Sequence, residues 1–244
     1  MIIGFVDLQT GVDIGTLRDG GNPLIYCGRH LAHHFLLTED KGVLKSDRLV
    51  RVSVKNLALN CLTLVGALEP ELWNVRLSKS PAAEPSVAVV DVLDYGGHGD
   101  PQLRGQAALL ACSILRCQAK EFAVSSVSPQ RLVAQLNDTL DDKETAACRL
   151  AVQGLQQCLP HVLESRLCLE LAGSLNRLLT LAANSYWLVR VDLLETLATL
   201  SWISLQHATT TVDAAFNATM FQNAVIGKNR LRKKRSAYKK HVAH

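Results

Sequence analysis

Aromatic residues are scarce in this chain of 244 residues, and no apolar stretch is long enough to cross a lipid bilayer. Phe, Trp and Tyr make up 5% of the chain, whereas apolar residues make up 48% and are mainly Leu, Ala and Val. The alternating aromatic and β-branched pattern of strands is therefore rare, and apolar positions recur at spacings of three and four. This pattern predicts an all-α protein with no transmembrane helix.

The sequence also lacks the short motifs of common active sites and metal sites. It contains no G-x-S-x-G, P-loop, G-x-G-x-x-G or H-E-x-x-H motif. Two groups of side chains resemble metal sites but lack a complete ligand set, namely Asp91, Asp94, His98 and Asp100, and His30, His33 and His34. We therefore expect a protein that is not an enzyme and that holds no cofactor and no metal.

The seven cysteines form no C-x-x-C pair, and their number is odd. Most lie on apolar helical faces, where a free cysteine behaves as a small hydrophobic residue. The amino-terminal MIIGFVDL is too short and too acidic for a signal peptide. We expect free thiols in a reducing compartment, the cytoplasm, with the nucleus as a second location.

One helical pattern stands out in the stretch HGDPQLRGQAALLACSIL, from His98 to Leu115. Asp100 is an N-cap residue, and Pro101 stands at the first helical position. Apolar residues follow on one face, at Leu103, Ala107, Leu110 and Ile114, with Arg104 one turn from the cap. An Asp entry, an Arg four residues later and small apolar residues are typical of the second helix of a HEAT-type repeat.

The same pattern recurs along the chain at nearly constant spacing. The positions equivalent to Arg104 are Arg51, Ala147 and Arg190, so the steps are 53, 43 and 43 residues. Two-helix repeats have periods of about 40–47 residues. The sequence therefore predicts a HEAT-type α-α superhelix, an α-solenoid, of about four helical-hairpin repeats.

Composition divides the chain into three predicted segments: a disordered lead-in (1–22), a HEAT-repeat α-solenoid (23–207) and an irregular basic tail (208–244). Pro23 opens the first helix, and the Ser- and Pro-rich loop at 77–86 accounts for the longer first step. Val87 to Tyr95 is predicted to form the first helix of the second repeat. Pro160 is predicted to end the third repeat.

The helical spacing predicts which apolar faces of two helices are buried. The second helix of the first repeat is expected to use Val54, Leu57, Cys61, Leu64 and Leu68. The last helix carries a Val189 stripe and, beside it, a second stripe of Trp187, Val191, Leu194 and Ala198. We expect both stripes of the last helix to be buried, because a solenoid helix packs against its own partner and against the next repeat.

Charged residues near the helix starts predict a structural ladder. Its members are Asp47, Arg51, Asp100, Arg104, Asp142 and Arg190. Each Asp is expected to cap its helix, as Asp47 would for the first repeat and Asp100 for the second, and each Arg is expected to bridge to a neighbouring repeat.

A second group of charges lies near the carboxyl terminus. Between Gly227 and His241 there is no acidic residue, and the basic residues are Lys228, Arg230, Arg232, Lys233, Lys234, Arg235, Lys239 and Lys240. This block accounts for the formal net charge of +4, because the rest of the chain is slightly acidic. It predicts a nuclear-localisation or anionic-surface patch, with a solvated tail as the alternative.

Three stretches resemble consecutive segments of the amino-terminal HEAT domain of the huntingtin family. They are PLIYCGRHLAHHFLLTEDKGVLKSDRLVRVSVKNLALNCL, YGGHGDPQLRGQAALLACSIL and NSYWLVRVDLLETLA. The resemblance extends roughly from Val12 to Leu200, with divergence between about Ser78 and Ser86. From about Ser201 it fades, which suggests a lineage-specific tail or a truncated or misread gene model.

The resemblance implies a piece of a very large scaffold without catalytic activity. Such a scaffold holds protein partners in vesicle and axonal transport along microtubules and in autophagy. The implied partners are a huntingtin-associated protein, the transport machinery and the rest of a longer solenoid. The alternative function is an adaptor for nucleic acid or an anionic membrane surface, in which the basic tail binds and the repeats are a rigid spacer.

Overall fold

The chain folds into a stack of helical hairpins. A computed structural model describes residues 22–38, 43–77, 87–124, 126–201, 203–206, 209–211 and 213. Its α-helices are α1 (Pro23–Leu31), α2 (Val52–Leu68), α3 (Pro101–Ala119), α4 (Pro129–Leu140), α5 (Thr145–Val162), α6 (Cys168–Thr180) and α7 (Trp187–Ala198). A π-helical turn, Ala32–Leu36, follows α1, and 3-10 helices span Pro70–Asn74, Val89–Gly97 and Leu181–Ala183.

The described residues confirm the all-α prediction. The β-type contacts found among them are isolated bridges between Leu37 and Leu44 and between Arg76 and Ala88. In this part of the chain no helix combines the length and the apolar character needed to span a membrane. The predicted first helix of the second repeat is a 3-10 helix rather than an α-helix.

The helices pack in two layers. In the inner layer α2, α3, α5 and α7 lie side by side in chain order, and α3 packs most extensively against α5. The outer layer contains α1, the 3-10 helix Val89–Gly97, α4 and α6, and each of these precedes an inner-layer helix in the sequence. The order of elements therefore gives four two-element repeats.

Most of the predicted terminal segments lies outside the described residues. Of the lead-in 1–22 the structure describes Asn22, and the loop 78–86 is not described. Of the tail 208–244 it describes residues 209–211 and 213, and these are helical. The predicted irregular conformation is therefore wrong for these four residues.

Three helices begin with a side-chain cap followed by proline, and one of them is the predicted Asp100–Pro101 start of α3. The Asn22 Oδ1 accepts from the Leu24 N–H at 2.9 Å, and the Ser128 Oγ accepts from the Arg131 N–H at 3.3 Å. The Asp100 carboxylate accepts from the N–H groups of Gln102 and Leu103 at 2.9 and 3.1 Å. Each cap satisfies donors that the helix leaves unpaired, which is worth about 1 kcal/mol.

The contact between α3 and α5 depends on small residues. A Cβ atom added at Gly105 would lie 3.1 Å from the Cα of Ala147, and one added at Gly154 would lie 3.1 Å from the Cα of Leu109. Alanine and cysteine occupy much of the remaining buried surface of both helices. The two backbones approach closely because these positions carry little or no side chain.

The predicted start of α2 is wrong. The helix begins at Val52, and its N-cap residue is Arg51, whose side chain makes no capping bond. Asp47 lies four residues further back and accepts instead from the Nζ of Lys55 at 2.6 Å. The carboxylate is recruited by a buried ammonium group, so it is not available to cap the helix.

The predicted apolar face of α2 is also wrong. The buried residues are Lys55, Ala58, Leu59, Leu62, Thr63 and Gly66, whereas Val54, Leu57, Leu64 and Leu68 are exposed. Lys55 can be buried because its Nζ donates to the Asp47 carboxylate and to the Lys45 carbonyl. Once Lys55 is buried, the face that contains it turns toward the core.

Two further predictions are corrected near the end of the stack. In α7 the Val189 stripe is buried, but Trp187, Leu194 and Ala198 are exposed and Val191 is half-buried. In α5 the helix passes through Pro160 and ends at Val162. Proline removes one backbone donor, and burial of Leu159, Val162 and Leu163 holds the chain in place.

Candidate interaction surface

Arg104 links the second repeat to the third. Its Nε and Nη2 donate to the two carboxylate oxygens of Asp142 at 2.7 and 3.1 Å, and its Nη1 donates to the carbonyls of His98 and Gly99. The Asp142 carboxylate also accepts from the Glu144 N–H at 2.9 Å. Asp142 therefore orders the turn before α5 without being its N-cap, which is Glu144.

The third repeat is joined to the fourth by a pair that the sequence analysis missed. The Nε and Nη2 of Arg149 donate to the Asp192 carboxylate at 2.6 and 3.3 Å. The predicted position, Ala147, is buried against α3, and the arginine stands two residues later. A search for a buried acidic residue in α7 would have indicated this pair, because Asp192 lies beside Val189 and Leu193 on the buried face.

Between the first and second repeats, Lys55 and His98 take the role expected of Arg51. Lys55 is fully buried, and its Nζ lies 5.5 Å from the centroid of the Tyr95 ring. The Nε2 of His98, from the second repeat, lies 3.3 Å from the Asp47 Oδ1. Arg51 is exposed. The link between these repeats therefore runs through Asp47, Lys55 and His98.

Arg190 occupies the position in α7 that Arg104 occupies in α3. The Nη1 of Arg190 donates to the Asn184 carbonyl, six residues earlier, at 3.1 Å. Arg104 makes the same bond with His98, which is also six residues earlier. Arg190 is exposed, and in the described part of the chain no carboxylate forms an ion pair with it.

The ion pairs shift the pKa values of Asp47, Asp142, Arg104 and Arg149 toward the charged forms. The Lys55 ammonium and the Arg104 guanidinium hold the pKa values of Asp47 and Asp142, respectively, below the usual range. Hydrogen bonds to Asp142 and Asp192 raise the pKa values of Arg104 and Arg149. Asp47, Asp142, Arg104 and Arg149 are therefore charged at neutral pH, and the pairs Arg104–Asp142 and Arg149–Asp192 join adjacent repeats.

Two exposed apolar stripes lie at the two edges of the inner layer. The α2 stripe is formed by Val54, Leu57, Leu64 and Leu68, and the last two are 62% and 70% exposed. The α7 stripe is formed by Trp187, Leu194 and Ala198, and the first two are 58% and 65% exposed. Contiguous exposed apolar side chains of this kind are typical of protein-binding surfaces.

The remaining candidate groups do not combine into a site. Within the described ranges, no group of three or more His, Cys, Asp and Glu side chains could hold a metal ion. The ring of His34 lies against the rings of His30 and His33. The ring centroids are 4.0 Å apart for His30 and 4.8 Å apart for His33. The basic residues from Lys228 to Lys240 lie outside the described residues.

The sequence is similar to curated proteins of the huntingtin family. It is 35% identical over 204 residues to huntingtin of Takifugu rubripes, which covers 76% of this chain. It is 26% identical over 132 residues to the HD protein homolog of Dictyostelium discoideum, which covers 48% of this chain. The chain spans about 6% and 4% of the lengths of these two relatives.

A family model described as "Huntingtin, N-terminal HEAT" matches residues 95–232. This match runs well beyond Ser201, so the expectation that the resemblance fades there is wrong, and Lys228, Arg230 and Arg232 lie within the family's segment. The match also confirms the predicted HEAT-type α-solenoid, in agreement with the two packed layers. The chain therefore belongs to the huntingtin N-terminal HEAT family.

Proposed function

We propose that this chain is a non-enzymatic scaffold that binds other proteins through the edges of its helical stack. The observation that carries the proposal is the exposure of the α2 and α7 stripes on helices whose opposite faces are buried. The Asp47–His98 contact and the ion pairs Arg104–Asp142 and Arg149–Asp192 add support, because they join adjacent repeats and leave the apolar edges free to bind.

We infer the cellular role from membership of the huntingtin N-terminal HEAT family. The role is support of vesicle and axonal transport along microtubules and of autophagy. The partners are a huntingtin-associated protein, the transport machinery and further repeats of a longer solenoid. The location is the cytoplasm, with the basic block directing a fraction of the chain to the nucleus.

The test is a quantitative pull-down with the full chain and three variants. Leu64→Glu and Leu194→Glu place a charge in the α2 and α7 stripes, and Leu169→Glu is the matched control on α6, where Leu169 is 43% exposed. A desolvated charge opposes burial. We expect the first two variants to lose the huntingtin-associated, transport and autophagy proteins that the wild type and the control recover. Equal recovery by all four proteins would contradict the proposal.

The basic block supports a second candidate, the adaptor for nucleic acid or anionic membranes. Eight basic residues without an acid between Gly227 and His241 form the required charge pattern. Binding by this block would weaken steeply with salt, because it would release counterions. Deletion of residues 208–244 should abolish such binding and nuclear accumulation, and should leave capture by the stripes unchanged.

A further inference from the structure

In the described part of the chain, the inner layer has a regular neighbour relation in which α2 is the first member and α7 the last. α3 packs between α2 and α5, and α5 packs between α3 and α7. In the described part of the chain α2 has one inner-layer neighbour, α3, and α7 has one, α5. In α3 and α5, both sides pack against an inner-layer helix. In α2 and α7, one of these two sides has no inner-layer helix against it in the described part of the chain.

The apolar stripes lie on these open sides. On α2, the Asn56 Nδ2 donates to the Gln102 Oε1 of α3 at 3.2 Å, which marks the side that faces the stack. With about 100° per residue, the α2 stripe lies about 80–160° around the helix from Asn56. On α7, Asp192 faces Arg149 of α5, and the α7 stripe lies about 120–160° around the helix from it.

We propose that a second copy of this chain occupies these surfaces, with the α7 stripe of one copy packed against the α2 stripe of the next. This contact continues the inner layer in its existing order, because α7 of one copy takes the place of an inner-layer helix before α2 of the other. The proposal rests on the proposed scaffold function and names one partner for its edges.

Charge complementarity favours this arrangement. Within the chain, Arg104 of one inner-layer helix reaches forward to Asp142 in the turn before the next. Arg190 makes the same bond to the backbone six residues earlier but has no acidic partner in the described residues. In the next copy Asp47 lies in the turn before α2, and its side chain is half-exposed. The Arg190–Asp47 contact between copies thus repeats the Arg104–Asp142 contact within a copy.

The proposed contact joins two different surfaces, so it does not close on itself in a dimer. A head-to-tail contact produces either a ring or an open chain of copies, depending on the rotation between them. The average mass should therefore rise with protein concentration beyond that of a dimer. Contacts between two α2 stripes or between two α7 stripes would instead stop at a dimer.

The test is sedimentation velocity on the full chain over a wide concentration range, with the same variants as above. We expect the wild type and Leu169→Glu to grow beyond dimers, and Leu64→Glu and Leu194→Glu to be monomeric when each is alone. Mixing these two variants should produce a dimer of one copy of each, because each supplies the stripe that the other lacks.

Arg190→Glu provides a second variant that does not alter the apolar stripes. The side chain is exposed and contacts only a backbone carbonyl among the described bonds, so the fold should be retained. We expect about a tenfold weaker association for Arg190→Glu, and no change for Arg166→Glu, an exposed arginine in the turn between α5 and α6.

Two results would overturn the inference. One is a wild-type chain that stays monomeric at every concentration, and the other is a dimer that persists in Leu64→Glu or Leu194→Glu alone. The first result leaves the scaffold function standing if the pull-down still separates the stripe variants from Leu169→Glu. Failure of self-association is therefore distinguishable from failure of the proposed function.

Discussion

At the scale of single residues, the ion pairs differ in their exposure to solvent and therefore in how much each is expected to contribute to the free energy of unfolding. The side chains of Arg104 and Asp142 are mostly buried, whereas those of Arg131 and Asp94 are about half exposed. Solvent screens the exposed pair, and removal of one member of a largely buried pair leaves an uncompensated charge. The ladder residues should consequently matter more for stability than other surface charges.

Arg104→Ala is predicted to destabilise the fold by about 2–4 kcal/mol, because it leaves the Asp142 carboxylate without its guanidinium partner and two carbonyls without a donor. Arg131→Ala, the control, should cost about 0–1 kcal/mol. Urea unfolding followed by circular dichroism measures both changes in the free energy of unfolding. Equal unfolding midpoints for the two variants would contradict the structural role of the ladder.

The pH dependence of stability should reveal the contribution of the Arg104–Asp142 pair. Arg104 holds the pKa of Asp142 below its ordinary value of 3.8, so the folded chain binds this proton less readily than the unfolded chain. The resulting stability is present above pH 3.8 and is lost as the pH falls through the lower folded value. Asp142→Asn should therefore be less stable at pH 7 and should lose less stability between pH 5 and about pH 2. Parallel pH profiles for the variant and the wild type would refute this expectation.

Sequence reasoning placed Asp100 at the start of α3 and Arg104 one turn after it, but it did not find the partners that join the other repeats. Asp100 and Arg104 could be placed because proline and aspartate fix the helix start. The partner of Asp47 could not be predicted, because the burial of Lys55 depends on tertiary contacts. The role of Arg149 could not be predicted either, because it lies two residues after the position that the repeat spacing indicates. A charged residue on an apparently polar face can be buried when its donors find acceptors, as Lys55 shows.

At the scale of elements, the closest packing is that of α3 against α5, and it depends on two glycines. Gly105→Ala and Gly154→Ala should each destabilise by about 1–3 kcal/mol, since the added Cβ would lie too close to a backbone atom of the facing helix. Thermal unfolding measures the effect as a lower Tm.

Gly173→Ala is the matched control for these substitutions. Gly173 lies in α6, and nothing lies within 4 Å of the position that its Cβ would take. Alanine has the higher helix propensity, so this variant should gain about 0.5–1 kcal/mol. If all three variants shifted the Tm in the same direction, the close approach of α3 and α5 would not be the determining factor.

Helix existence was easier to predict than the face that each helix buries. The order of repeats could be predicted from the cap that precedes proline at the start of α3 and from the steps of 43 residues. The buried faces of α2 and α7 were not legible, because both helices are apolar on more than one side. Which side is covered depends on the neighbours that the helix has, and periodicity does not contain that information.

At the scale of the whole molecule, the described residues form a stack with a buried apolar core and two apolar edges. The family provides the setting, since the chain spans a small part of its relatives' lengths. The scaffold and the adaptor hypotheses differ in where binding energy resides. The first places it in the edge stripes, and the second places it in the basic residues from Lys228 to Lys240.

The most direct measurement compares three full-length proteins in one quantitative pull-down at low and moderate salt: wild type, the double variant Leu64→Glu/Leu194→Glu, and a chain that lacks residues 208–244. We expect the deletion to retain the transport and autophagy partners at both salt concentrations and the double variant to lose them. If the double variant retains its partners and the deletion loses them as salt weakens binding, the stripes are not the binding surface and the scaffold account is wrong.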